Sequence, residues 1–129
     1  MTKLTRPISV KIVSILFYLH GAIEIAGAAM LLIIPPDLLG ATGLPFEIEK
    51  SIPLALLSLI SGAFRLFIGH AVWLMRKWGA VLGVVFSAIT IIGAPQFLPF
   101  GIMDALIAMA ILVLLTIAWF DKETFTRKD

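Results

Sequence analysis

The chain has 129 residues, of which 60% are hydrophobic and only 14% charged, with a mean hydropathy of +1.08. That is more apolar surface than one small core can hide from water, so the chain reads as a single domain in lipid, where apolar side chains face outward without penalty. The net charge of +2 comes from basic residues at the ends of apolar runs, which gives no nucleic-acid partner, and the lack of cysteine excludes disulfides, thiolate nucleophiles and cysteine-ligated metals.

The first predicted span covers residues 10–34, behind a basic segment with Lys3, Arg6 and Lys11. It is too long for a signal peptide, and no small-residue cleavage pattern closes it before Pro35 and Pro36, so it is read as a retained helix that the paired prolines stop. Residues 35–52 form the one long connection, punctuated by Gly40, Gly43 and Pro45 and acidic at Asp37, Glu47 and Glu49. One or two short helical turns are expected here, with Leu38, Leu39, Leu44, Phe46 and Ile48 dipping toward lipid as a cap over the bundle end.

The second span, 53–75, carries Arg65 near its middle. An unpaired cation at the centre of a spanning helix costs at least about 2.5–3.5 kcal/mol on insertion scales, so the other helices must meet it. The sequence RKWG from Arg76 to Gly79 is a turn so short that the second and third spans are antiparallel neighbours. The third span, 78–94, has small residues at Gly79, Gly83 and Ser87, a stripe that lets helix backbones approach closely, either inside the protomer or between copies. The fourth, 102–120, opens with Asp104 in its first turn, where a carboxylate suits the positive end of the helix dipole. The fold class is therefore all-α: a bundle of four transmembrane helices, with no internal repeat to support an inverted-repeat transporter.

Lys3, Arg6 and Lys11, then Arg76 and Lys77, then Lys122, Arg127 and Lys128 fall on one side of such a bundle, and Lys50 on the other. The positive-inside rule makes the first side cytoplasmic, with both termini, in a multi-pass protein of the inner (plasma) membrane. Trp73, Trp78 and Trp119 belong to the same boundary, and Phe46, Phe97 and Phe100 to the opposite one.

Counting the helical rise from Lys11 puts Glu24 at ~19 Å and counting from Arg76 puts Arg65 at ~16 Å from that boundary. Nearly level on antiparallel helices, the two predict an ion pair, either a structural clasp or a site that exchanges with a proton, an ion or an anionic ligand. His20 stands on the same helix face as Glu24, one turn away, and adds a group whose charge can change near neutral pH. His70 turns about 140° from Arg65 and is expected to face the third span or the headgroups. Asp104 comes within reach of a long guanidinium; if Glu24 and Asp104 both converge on Arg65, Ser58, Ser61 and Gly62 line a polar track from the exterior, either an open cavity or a sealed network, and if Asp104 alone serves Arg65, Glu24 is free to act with His20. Two histidines and one glutamate could in principle hold a metal, and the histidines a haem, but they differ in depth and H-x-x-x-E is a weak signal. No metal and no cofactor are assigned.

The stretches YLHGAIEIAGAAMLL from Tyr18, RKWG from Arg76 and PFGIMDALIAMAILVLL from Pro99 resemble small four-helix membrane proteins loosely grouped as DoxX-like. The resemblance implies that Glu24 matches an acidic residue of the first helix and Asp104 one at the start of the last, and hints at a role in redox or thiol stress. Two classes of function follow. One is a non-enzymatic module, a small transporter or complex subunit with a buried Glu/Arg/His site. The other is a membrane-embedded redox or lipid-modifying enzyme subunit using His20 and Glu24, against which stands the lack of a nucleophile, a phosphate-binding glycine loop and a convincing metal set. Membrane lipids and a membrane-protein partner are the expected company, and Gly21 and Gly27 with the third-span stripe suggest a homo-oligomer.

Overall fold

A computed structural model describes residues 7–41, 51–94, 101–120 and 125. Within them the chain forms five helices: α1 (Ile8–Ile33), α2 (Pro36–Ala41), α3 (Ser51–Trp73), α4 (Lys77–Gly93) and α5 (Gly101–Phe120). Four are long and make an all-α bundle. By length and composition α1, α3 and α5 suffice to cross a membrane, while α4, with 17 residues, is a shorter apolar helix. At the standard rise α4 spans about 25 Å against a bilayer core of about 30 Å.

The prolines act in two ways. α1 ends at Ile33, before Pro35, and Pro36 then opens α2, where its fixed φ suits a first helical position and its missing N–H is no loss. Leu38 on α2 is exposed, in keeping with an interfacial turn. The side chain of Leu39, together with Leu44, Phe46, Ile48 and Lys50, lies outside the described residues, as do Phe97, Phe100 and the basic residues of the two tails.

The turn from α3 to α4 is a Schellman motif. The Arg76 amide donates to the Ala71 carbonyl at 3.1 Å and the Met75 amide to that of Val72 at 2.8 Å, with Met75 at φ 57°. A left-handed residue here is usually glycine. Met75 is retained because its side chain is buried in the apolar core, which offsets the roughly 1 kcal/mol of backbone strain.

The helices pack as a ring in the order α1, α3, α4, α5, each against the next and α5 against α1, with α1 on α3 the most extensive pair. At the crossing of α1 and α3 the backbones nearly touch: a Cβ on Gly21 would stand 2.7 Å from the Gly62 carbonyl oxygen, and one on Gly62 2.8 Å from that of Gly21. The stripe on α4 turns inward. Gly79 abuts Ala71, Gly83 abuts Leu115 and Phe17, and Ser87 is buried, so close approach is used inside the protomer. Gly27 has nothing within 4 Å.

Large apolar side chains such as Ile23, Ile60, Phe67, Ile92 and Leu106 are exposed around the outside, whereas Arg65, His20, Ser14 and Ser87 are buried. That inversion of the soluble pattern is what a lipid-facing bundle requires.

Candidate functional site

A polar network runs from the middle of the bundle toward the end where α1 finishes and α5 begins, and draws on all four long helices. α1 supplies His20 and Glu24 one turn apart on one face. α3 supplies Ser61 and Arg65, α4 supplies Thr90 and α5 supplies Asp104. The Gly21–Gly62 contact sets these distances, because only where the α1 and α3 backbones meet can a short serine side chain reach across to Glu24.

Glu24 Oε2 accepts hydrogen bonds from Ser61 Oγ at 2.7 Å and from Arg65 Nε at 3.0 Å. Both Glu24 and Arg65 lie mostly out of solvent, so this is a charge-assisted bond in low dielectric. The neighbouring nitrogen of the guanidinium, Nη2, donates to Thr90 Oγ1 at 3.0 Å. Thr90 can accept because its own hydroxyl proton goes to the Phe86 carbonyl one turn back, at 2.9 Å. The Phe86 ring covers the cation, its centroid 4.7 Å from Arg65 Cζ. Nη1 is buried without a hydrogen-bond partner among the described residues.

Depth put Asp104 within reach of Arg65, but its Oδ1 lies 2.8 Å from His20 Nε2 instead. The reason is lateral: α5 packs on α1 and α4, and Arg65 on α3 spends its reach on Glu24 and Thr90. His20 Nε2 is also 3.8 Å from Glu24 Oε1, beyond hydrogen-bonding distance. His20 is buried, and its Nδ1 has no partner among the described residues. The cluster is open on the Asp104 side, where the side chain is 42% exposed against 15% for Glu24.

His70 is not part of this cluster. Its Nδ1 sits 3.3 Å from Tyr18 OH on α1, at an exposed position in the last turn of α3, where headgroups were one of the two expected surroundings. Ser58 contributes its carbonyl, which accepts weakly from Ser61 Oγ at 3.5 Å. Two participants were missed from sequence, Thr90 and Phe86. A lone threonine inside the apolar α4 run, level with Glu24 by rise, is the signal that could have found the first, whereas Phe86 is indistinguishable in sequence from a lipid-facing aromatic.

Two buried hydroxyls, Ser14 Oγ and Ser87 Oγ, also lack partners among the described residues. Gly83 meets Phe17 and α4 runs parallel to α1, so Ser87, one turn further on, lies level with Gly21 and next to the His20 layer.

Three ligating groups come together here: His20, Glu24 and Asp104 each offer one atom, all within 4.8 Å of one another. No family model, curated protein or solved structure matches this chain.

Proposed function

We propose that this chain is a non-enzymatic multi-pass protein of the plasma membrane that binds a small cation in its polar half, as a small transporter or as the ion-binding subunit of a membrane complex. The charge balance of the network carries the reading. In formal charges, Glu24 and Asp104 stand against Arg65, so with a neutral His20 one negative charge is left over, at the half-exposed Asp104 beside the buried His20. A cation or proton restores neutrality, whereas an anion deepens the imbalance. The half-exposed Asp104 gives the approach from solvent.

The basic residues at the Lys11, Arg76 and Lys77 end orient that end to the cytoplasm and the polar half to the exterior. Reporter fusions after Asp129 and within residues 40–43 should then report opposite sides, and agreement between them overturns the orientation.

The binding reading is tested by thermal unfolding of detergent-purified protein against inorganic cations and organic amines. A ligand at a hundredfold excess over its Kd adds about 2.7 kcal/mol. A cation that raises the unfolding midpoint in the wild type but not in D104N supports the reading; a midpoint that no cation moves overturns it.

A further inference from the structure

The make-up of the cluster says which cation. Alkali and alkaline-earth ions take oxygen ligands, so a site for them has no use for a buried imidazole, whereas imidazole with carboxylates suits divalent first-row transition metals. His20 is buried with Nε2 facing both carboxylates.

Glu24 is divided between two tasks. Its Oε2 is held by Ser61 and Arg65, which leaves Oε1 turned toward His20 at 3.8 Å. That distance is too long for a hydrogen bond but close to the roughly 3.4 Å between two ligands of one tetrahedral ion with bonds near 2.1 Å. Ser61 and Arg65 then do what partners of a ligating carboxylate do: they fix its orientation without touching the ion. Asp104 stands 2.8 Å from the same nitrogen and opens to solvent, so the fourth position faces water and the ion has a way in and out.

We propose that His20 Nε2, Glu24 Oε1 and an Asp104 carboxylate oxygen bind a divalent transition-metal ion of the Zn2+, Co2+ or Mn2+ class. The proposal rests on the cation-binding reading above and names its ligand. On binding, the ion takes the place of the proton between His20 Nε2 and Asp104; that proton is released to solvent while the ring keeps its N–H at Nδ1, and small side-chain rotations bring the three atoms to ligating distance. The salt bridge between Glu24 and Arg65 stays in place, because it uses the other oxygen.

The test is titration of untagged, chelator-treated protein in detergent with Co2+, followed by its visible ligand-field absorption, with displacement by Zn2+ and with helix content monitored by circular dichroism. Saturation at one ion per chain is expected, lost in H20Q and in D104N and unchanged in H70Q. D104N changes a half-exposed residue at the bundle end, so it separates loss of the site from loss of the fold. S61A, which removes one of the two groups that hold Glu24 Oε2, should weaken binding about tenfold to a hundredfold. A folded wild type with no Co2+ spectrum, or a spectrum that survives D104N and H20Q, overturns the proposal. If Co2+ fails while another cation still raises the unfolding midpoint in a manner dependent on Asp104, the metal assignment falls and the cation-binding reading stands. If neither binds, both fall.

Discussion

The two halves of the bundle are built by opposite means. Toward the chain termini the interior is filled with bulky apolar groups: Val10, Val13, Phe17, Ile68, Val72 and Leu115 are fully buried around Met75. Beyond Ile111 at mid-bundle, the buried apolar residues toward the other end are alanines, at positions 28, 55, 94 and 108, with glycines at the α1/α3 crossing. Small residues there leave room for an arginine, a histidine and two carboxylates between helices. The apolar half holds the helices in register by close packing; the polar half uses that register to bring groups from four helices to one point.

Breaking the polar half at its centre should have the largest effect. E24Q or R65Q alone strands the other partner and should lower stability by about 3–5 kcal/mol, while the double substitution recovers much of the loss. Additive losses in thermal unfolding would show that the two residues are not one unit. In the apolar half, Leu115→Ala removes a side chain that fills the space beside Gly83. A core truncation of this kind costs about 2–5 kcal/mol, and the lower end applies in lipid, where lost packing rather than lost transfer from water sets the penalty. The discriminating result is that L115A leaves cation-induced stabilisation intact, because the ligands sit in the other half.

Thr90→Val sharpens the comparison. It keeps the shape but withdraws the acceptor from Arg65 Nη2, which should cost about 1.5–3 kcal/mol with no change in helix content. An unchanged unfolding midpoint would mean that Arg65 finds another acceptor. The smallest effects test the crossing itself. Gly21→Ala forces a Cβ to within 2.7 Å of a carbonyl oxygen and should destabilise by about 1–3 kcal/mol, whereas Gly27→Ala, with open space around it, should be neutral or slightly stabilising. Equal effects of the two on thermal unfolding would show that the α1/α3 approach is not a constraint.

Composition and run length determined the four long helices and the apolar exterior, because helix satisfies every backbone group within the segment itself, as such apolar stretches require. The level of Glu24 with Arg65 followed from the constant rise along two antiparallel helices joined to short basic ends. Rise fixes depth but not azimuth, so which neighbour a side chain meets was open: Asp104 was in reach of Arg65 by depth, yet α5 lies on the α1 side of the ring and presents it to His20. The same limit hid Thr90, whose helix faces Arg65 only because Gly79 and Gly83 draw α4 against its neighbours. His70 went to Tyr18 for a related reason: Gly69 beside it admits Phe17 and brings α1 close along that edge. Tertiary packing thus decided the pairing of the charges, through the helix order around the ring and the glycines that set how near each pair of backbones comes.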